Sequence, residues 1–169
     1  MTSLIDPKKY TKTLDLLRSF FLAKNFYEVH TQNRLSILAA CEDPETVATY
    51  NYGGNIWPLP QTGQMWLEYE LLKNPEAPGF FCLSTSYRAE PNPVPGRHET
   101  IFPMFEFEMH GDVHDLKVME IELCEHLGIP LDSENIKTYG EWQDKYSVRE
   151  LDHGHEAAIG RGCLLYTSP

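Results

Sequence analysis

The sequence predicts an α+β domain in which an antiparallel sheet is flanked by helices. Two stretches in the middle of the chain, 83–90 and 101–110, alternate their side chains with the two-residue period of strands. Between them, Pro91-Asn92-Pro93-Val94-Pro95-Gly96 cannot continue a strand ladder, because proline lacks the backbone N–H. We therefore expect the two stretches to pair as a long antiparallel hairpin, with helical patterns on both sides of it.

Apolar residues at helical spacing predict four helices. Asp6 followed by Pro7 is typical of a helix start, and we expect this helix to close at Asn25. A second helix is predicted from Thr62, as its cap, to Lys73, with its apolar stripe in the core. The apolar positions are Leu14, Leu17 and Phe21 in the first helix; Met65, Tyr69 and Leu72 in the second; Leu116, Met119, Leu123 and Leu127 in the third, which Gly128 caps; and Tyr139, Trp142 and Tyr146 in the fourth.

Shorter strands are predicted between the first two helices. One covers residues 26–31, and a hairpin follows in which the runs 47–50 and 55–59 flank Tyr52-Gly53-Gly54. In the later stretch 101–110, Pro103 removes a ladder donor. We expect that strand to be bulged, or at a sheet edge, at this point.

The charged residues of the central hairpin share one face. A two-residue count places them together and leaves the opposite face, with Ile101, Phe105 and Phe107, apolar. The charged face consists of Ser84, Ser86, Arg88 and Glu90 on the first strand and Phe102, Met104, Glu106, Glu108 and His110 on the second. One face is therefore predicted to be core and the other a site.

These side chains suit a ligand with phosphate, ammonium and a flat heterocycle. An arginine forks onto phosphate oxygens, carboxylates hold an ammonium or a metal, and a phenyl ring stacks on a base. The alternative interpretation is a surface hairpin with ordinary ion pairs.

The same residues resemble a known motif. Tyr87-Arg88-Ala89-Glu90, Arg97-His98 and the run 101–108 are similar to motif 2 of class II aminoacyl-tRNA synthetases, in the aspartate, asparagine and lysine subgroup. Residues 62–68, Thr-Gly-Gln-Met-Trp-Leu-Glu, resemble the segment before motif 2 in asparaginyl-tRNA synthetases, and residues 14–29 resemble motif 1. The resemblance covers residues from about 10 to 127 in the family's order.

The resemblance implies a catalytic domain that activates a small amino acid with ATP and Mg²⁺. Arg88 would be the catalytic residue, on the α-phosphate of ATP, and Phe102 would stack on adenine. The implied ATP-binding residues are Arg88, Glu90, Arg97, His98 and Phe102, and the implied amino-acid-binding residues are Gln64, Glu106 and Glu108. Motif 1 forms the dimer interface in this family, so a homodimer of the full-length protein is also implied. Here Thr31 is followed by Gln32, where motif 1 usually has proline.

Motif 3, a glycine-rich segment whose arginine holds the ATP tail in this family, has no counterpart in the chain. We expect a catalytic domain over residues 1–162 that is incomplete, being cut off before motif 3. Residues 163–169 resemble a translated sequencing adaptor, and we expect them to be a non-native tail. With its phosphate contacts incomplete, the fragment itself is expected to be inactive.

Three functions fit this resemblance. The first is aminoacyl-tRNA ligation of the asparagine or aspartate type, although no anticodon-binding barrel precedes motif 1 in the chain. The second is a freestanding paralogue that adenylates an amino acid for amide formation, as ammonia-dependent asparagine synthetase does. The third is a non-catalytic relative that binds the nucleotide without turnover.

Composition limits which kinds of partner the chain is expected to bind: nucleic acid, membrane or metal. A formal net charge of −11 disfavours independent nucleic-acid binding, since affinity for a polyanion comes from basic patches, and leaves tRNA a possible partner only through a local patch. No apolar run can span a membrane, and residues 1–20 carry charges that a secretory signal lacks, so we expect a cytoplasmic protein. The four cysteines show no CxxC spacing and the histidine pairs lack partner ligands, so no protein metal site is predicted.

Overall fold

The computed structural model describes residues 5–31, 39, 42–95, 98–130 and 137–159. The chain divides into two compact units, Met1–Gly111 and Asp112–Pro169. The helices are α1 (Pro7–Ala23), α2 (Gln64–Lys73), α3 (Val113–His126), α4 (Tyr139–Tyr146) and α5 (His153–Ile159). The strands are β1 (Tyr27–Glu28), β2 (Thr49–Tyr52), β3 (Asn55–Pro58), β4 (Phe80–Tyr87) and β5 (Ile101–Glu108), and a 3₁₀ turn covers Pro44–Thr46. The expected tail, 163–169, lies outside the described residues.

The first unit is built on a sheet with the strand order β1-β4-β5. β4 and β5 pair antiparallel without a break in register, from Phe80 opposite Glu108 to Tyr87 opposite Ile101, which confirms the predicted hairpin. Pro103 stays in register opposite Thr85, so the strand does not bulge there. β5 lies at the edge of the described sheet, which is the position where a sheet tolerates proline.

β1 is shorter than predicted, and it runs parallel to β4. It consists of Tyr27 and Glu28, opposite Phe80 and Phe81, and the Val29 N–H adds one more bond to the Phe81 carbonyl at 2.8 Å. The sheet is therefore mixed, whereas an antiparallel sheet was predicted. A parallel pair needs a long connection that returns the chain to the same end, and here the segment containing β2, β3 and α2 provides it.

α1 begins and ends where the sequence indicates. The Asp6 side chain accepts hydrogen bonds from the backbone N–H of Lys8 and Lys9, which satisfies two of the three unpaired donors of the first turn, since Pro7 has no N–H. After Ala23 the chain turns at Asn25, whose φ is 63°, a left-handed conformation in which asparagine is among the favoured residues. The predicted closure at Asn25 is confirmed.

An aromatic core lies between α1 and one face of the sheet. Phe21 is fully buried, and its ring centroid lies 5.5 Å from that of Phe81, 5.4 Å from that of Phe105 and 4.9 Å from that of Phe107. Phe81, Phe105 and Phe107 are odd-numbered strand residues, so they belong to the face that was predicted to be apolar. The part of that face around Phe81, Phe105 and Phe107 is core, as expected, but Ile101, which was predicted to belong to it, is 50% exposed.

α2 covers part of the opposite face, but not with the predicted stripe. Leu67 is the buried residue of the helix, and Leu71 packs beside it against Phe80 and Cys82. Tyr69 is 46% exposed and Leu72 82% exposed, so the assignment of these two to the core was wrong. The backbone N–H of Gly63, the residue before the helix, bonds to Glu106 on β5, and this long-range contact fixes the rotation of α2.

β2 and β3 form the second predicted hairpin, with Tyr52 opposite Asn55 and a turn at Gly53 and Gly54. Both glycines have positive φ, 59° and 78°, the geometry that a two-residue hairpin turn requires. Among the described residues, no helix combines the length and the apolar character that crossing a bilayer requires.

The second unit contains α3, α4 and α5. Asp112 caps α3, and Asp115 reaches back to the Asp112 N–H in a capping box; Gly128, at φ 71°, follows the helix end as predicted. Trp142 of α4 is buried with Leu151 and Ile159. The α5 helix was not predicted from the sequence.

Replacing Phe21 with alanine should lower the free energy of unfolding by about 3–5 kcal/mol, because it empties the centre of the aromatic core. Denaturant unfolding, followed by circular dichroism, measures the loss. Leu22→Ala is the matched control, since Leu22 is 55% exposed, and we expect a change within about 0.5 kcal/mol. Equal losses in the two variants would contradict the assignment of this core.

Candidate functional site

The register of β4 and β5 assembles the predicted charged face. Ser84 lies opposite Met104 and Ser86 opposite Phe102, and directly opposed residues of an antiparallel pair share a face. Further along, Cys82 lies opposite Glu106 and Phe80 opposite Glu108. Phe102 and Glu106 are four residues apart on β5, or about 14 Å along the strand.

At one end of this face lies a hollow of about 410 Å³, which we call the arginine hollow. Its lining residues are Arg88, Glu90, His98, Glu99 and Phe102. Four of the five were predicted from the sequence as ligand-binding residues. Glu99 was not, although its place beside His98 in the chain could have indicated it. Arg97, the fifth predicted nucleotide contact, lies outside the described residues.

The groups in the arginine hollow are complementary in charge. The guanidinium carbon of Arg88 lies 5.9 Å from the centroid of the Phe102 ring, and Nε of Arg88 is 3.4 Å from Oγ of the buried Ser86. Nδ1 of His98 lies 2.9 Å from Oε2 of Glu90, so the two form an ion pair whenever the imidazole is protonated. A cation, a flat ring and a carboxylate–imidazole pair therefore face the same space.

Further along the same face, Glu106 connects three segments of the chain. We call Glu106 and its three hydrogen-bond donors, Thr62, Gly63 and Ser84, the clasp. Its carboxylate accepts hydrogen bonds from the Thr62 hydroxyl, from the Gly63 backbone N–H at 2.8 Å and from the Ser84 hydroxyl at 2.7 Å. A carboxylate has about four lone-pair positions, so these donors leave about one free. Glu106 therefore joins β5, β4 and the start of α2, and only a small part of it remains for a ligand.

The approach of α2 to the sheet at this point requires glycine. A Cβ on Gly63 would lie 2.6 Å from Sγ of Cys82 and 3.1 Å from Oε2 of Glu106. Burial, and secondarily the charge of Glu106, raise the pKa of the Cys82 thiol to about 12. The floor of the site is therefore closely packed and shielded from water.

Beside the clasp, α2 contributes an amide and a second carboxylate. Nε2 of Gln64 donates to Oε1 of Glu68 at 2.8 Å. Burial and the nearby Glu68 charge raise the pKa of Glu108, with a smaller contribution from Glu106, while a hydrogen bond from Gln64 opposes the shift. Two or three acids around one amide attract a cation such as an ammonium group.

A second hollow of about 400 Å³, the edge hollow, adjoins the clasp. Thr62 and Ser84, the two hydroxyl partners of Glu106, both line it, together with Trp66, His30 and Tyr50. The sequence pattern placed Ser84 on the charged face, but it gave Thr62 a capping role. In the structure Gly63 is the helix cap, and the Thr62 hydroxyl both accepts from the Gln64 N–H and donates to Glu106.

In the part of the chain that the structure describes, no group of three or more His, Cys, Asp or Glu side chains is placed to hold a metal ion.

Solved structures of asparaginyl-tRNA synthetases share this fold. The Pyrococcus horikoshii enzyme, solved with asparaginyl-adenylate, aligns with a TM-score of 0.62 and 21% identity over 86% of this chain and 39% of its own. The Entamoeba histolytica enzyme, also with asparaginyl-adenylate, aligns with a TM-score of 0.65 and 17% identity over 93% of this chain and 41% of its own. A putative aspartyl-tRNA synthetase from Leishmania major gives a TM-score of 0.55 and 17% identity over 88% and 24%.

The fold is thus that of a class II synthetase catalytic core, as the motif resemblance implies. Within that class, the asparaginyl- and aspartyl-tRNA synthetases are structural relatives of this chain. The chain spans between 24% and 41% of the length of these three proteins. No family model and no curated protein sequence matches it.

Glu106→Gln should lower the free energy of unfolding by about 1–3 kcal/mol, because the new NH₂ group would face hydroxyl or amide donors. Denaturant unfolding at pH 7 measures the change. Glu76→Gln is the control, since Glu76 is exposed and should tolerate the substitution. A Glu106 variant as stable as the Glu76 control would show that the clasp contributes no stability.

Glu108→Gln should raise the melting temperature at pH 7. The raised pKa of Glu108 means that the folded state binds its proton more tightly than the unfolded state does. The stability that protonated Glu108 contributes is thus fully present below the ordinary glutamate pKa. It is lost as the pH rises through the raised pKa of Glu108 in the folded state. Melting curves of the variant and the wild type should therefore diverge at neutral pH and converge near pH 3, about a unit below the ordinary pKa. A difference that grows on acidification would overturn the assigned direction.

Proposed function

We propose that this chain carries a site for ATP and a small amino acid, and that the complete protein activates the amino acid as an aminoacyl adenylate. The observation that supports this most directly is the arginine hollow, in which Arg88, Glu90, His98 and Phe102 face one space. Two relatives in the fold were solved with asparaginyl-adenylate, a ligand that contains both parts of the proposed substrate pair.

The nucleotide would occupy the arginine hollow. Adenine would stack on Phe102, and the guanidinium of Arg88, which lies near the same ring, would reach the α-phosphate. Arg97 or His98 would reach toward the outer phosphates, and the carboxylate of Glu90, 2.9 Å from Nδ1 of His98, would pair with the imidazole when it is protonated.

Arg88 would accelerate the reaction through charge. When the amino-acid carboxylate attacks the α-phosphorus, negative charge builds on the equatorial oxygens, and pyrophosphate leaves. A guanidinium already aimed at those oxygens stabilises the transition state more than the ground state. The remaining contribution is positioning of the two reactants, which requires no covalent chemistry from the protein.

The amino acid would bind toward the clasp. Glu106 has about one lone-pair position free, while Glu68 and Glu108 add negative charge around Gln64. These acids would hold the ammonium group, and the distance of about 14 Å between Phe102 and Glu106 along β5 leaves room for an elongated adenylate.

We propose that Mg²⁺ enters this site as an ion carried by the nucleotide. Mg²⁺ commonly combines one or two carboxylates with substrate phosphates, and Glu90 and Glu99 are the carboxylates of the arginine hollow. When bound, the ion would supply neutralisation of the triphosphate charge.

For the complete protein, we propose transfer of the activated amino acid to tRNA, in the cytoplasm and by a homodimer of the full-length chain, of which residues 1–162 would be an incomplete catalytic domain. Formation of aminoacyl-tRNA from total tRNA, compared with amide formation from ammonia, separates this acceptor from the alternative one. A protein that binds ATP but shows neither product would be the non-catalytic relative.

The proposal predicts how binding depends on Arg88. By isothermal titration calorimetry, Arg88→Ala should weaken ATP binding at least about tenfold, or about 1.4 kcal/mol, and leave adenosine within about twofold. Phe102→Ala should weaken both ligands, because stacking on the base is common to them. Arg149→Ala is the control, since Arg149 is exposed and belongs to the second unit.

A non-hydrolysable aminoacyl-sulfamoyl adenosine tests the amino-acid part of the site. The asparaginyl or aspartyl form should bind more tightly than adenosine, because the linked groups engage both ends of the charged face. Undetectable ATP binding by the folded wild-type chain, or an Arg88 variant that binds ATP normally, would reject the proposed function.

A further inference from the structure

We propose that Gln61 is a positioning residue for Arg88, which it holds in place through the segment 43–47. This inference rests on the proposed function, because it assigns Gln61 a role in aiming the guanidinium at a phosphate. Gln61 is fully buried, although glutamine is usually an exposed residue. Its side chain does not face the arginine hollow, so any effect on a ligand must pass through other residues.

The amide of Gln61 is anchored to a segment 15 to 18 residues earlier in the chain. Oε1 of Gln61 accepts from the Asp43 N–H at 2.9 Å, and Nε2 donates to the Asp43 carbonyl at 2.9 Å and to Oγ1 of Thr46 at 3.1 Å. Glu42 adds to the connection, since its carboxylate accepts from the Gln61 N–H at 3.4 Å. Three of the four hydrogen-bonding positions of the amide are thus directed at the turn around Pro44–Thr46.

The 3₁₀ turn at Pro44–Thr46 and the following residue contact the backbone around Arg88. The Ala89 N–H donates to the Thr46 carbonyl at 2.8 Å, and Val47 forms an antiparallel bridge with Arg88. On the other side, the Arg88 N–H donates to the Thr100 carbonyl at 2.8 Å. The backbone of Arg88 is therefore held from two sides just beyond the end of β4.

The neighbouring residue closes the arrangement. The carbonyl of Pro60, directly before Gln61, accepts from the N–H of Tyr87, directly before Arg88, at 2.9 Å. Residues 60–61 thus contact the strand end directly, and they contact it again through the segment 43–47. Because residues 87–89 are held by both sets of contacts, the backbone there cannot rotate without breaking at least one hydrogen bond.

The side chain of Arg88 depends on this backbone support. Its Nε lies 3.4 Å from the Ser86 hydroxyl, which is at the long limit for a hydrogen bond, and the Phe102 ring offers a non-directional contact at 5.9 Å. Because these side-chain contacts are weak, they would not hold the guanidinium in place if the backbone of Arg88 moved, and the guanidinium would be displaced with it. A shift of about 1 Å in a positioning group is enough to cost a large factor in rate.

The test compares phosphate-dependent with phosphate-independent binding. Gln61→Met keeps about the same side-chain volume and removes the three hydrogen bonds that the side-chain amide makes with Asp43 and Thr46. We expect ATP binding to weaken at least about tenfold, with adenosine within about twofold, since adenosine uses Phe102 and not Arg88. Gln143→Met is the matched control, because Gln143 also donates to a backbone carbonyl, that of Arg149, but lies in the second unit.

A double-mutant cycle separates positioning from general structural damage. In the Arg88→Ala background, Gln61→Met should cause no further loss of ATP affinity, because the group that it positions is gone. Additive losses, equal losses for ATP and adenosine, or wild-type ATP affinity in Gln61→Met would each overturn the inference while leaving the proposed function in place. A wild-type chain that binds no ATP would overturn the proposed function, and this inference with it.

Thr46→Val keeps the test decisive if Gln61→Met fails to fold. It removes the Thr46 hydroxyl, which accepts from Gln61 Nε2 at 3.1 Å and donates to the Asp43 carbonyl at 3.4 Å. We expect an ATP-specific loss of about threefold, on the order of one net hydrogen bond because the 3.4 Å contact is long, and this loss disappears when Arg88 is alanine. No loss in a folded Thr46→Val variant, or one that persists in the Arg88→Ala background, would overturn the inference.

Discussion

The hydrogen bonding of Glu106 is the interaction on which the rest of the site depends. Its one carboxylate, on β5, holds the Ser84 hydroxyl of β4 and the Gly63 N–H at the start of α2. These contacts let α2 pack against the polar face of the sheet. Without these donors, the carboxylate of Glu106 would be covered by the helix with no hydrogen-bond partners, which would lower the stability of the fold. They also fix the rotation of α2, so that Leu67 is buried while Gln64 and Glu68 lie next to the acids of β5.

The two ends of the charged face are held by different means. At the clasp, close packing fixes the side chains, since a Cβ added to Gly63 would lie only 2.6 Å from Sγ of Cys82. At the arginine hollow, the side-chain contacts of Arg88 are weak, and its backbone is held instead, by Thr100 on one side and by the segment 43–47 on the other. This division would suit the proposed role of Arg88, since the backbone is fixed while the guanidinium can still contact a ligand.

Local pattern was enough to predict the central hairpin and its two faces, because side chains in a strand alternate with a period of two whatever the strand contacts. The rotation of α2 could not be predicted in this way. It depends on a contact between Gly63 and Glu106, 43 residues apart, and the stripe of Met65, Tyr69 and Leu72 gave no sign of it. Gln61 escaped notice for the same reason, since its partners lie 15 to 18 residues away and follow no periodicity. The motif 2 resemblance identified residues of the arginine hollow because they are close in sequence as well as in space.

The acids around Gln64 lower the stability of the free protein, and a bound cation would offset this loss of stability. Glu108 is partly buried near the Glu68 charge, and its raised pKa shows that its ionised form is disfavoured in the folded state. An ammonium group between these acids would favour the ionised form, so the same repulsion that weakens the free protein would strengthen binding of a cation. Because Glu106 is largely occupied by its own donors, Glu68 and Glu108 would supply much of this attraction. In this arrangement the clasp gives the site its shape, and the two neighbouring carboxylates give it its charge.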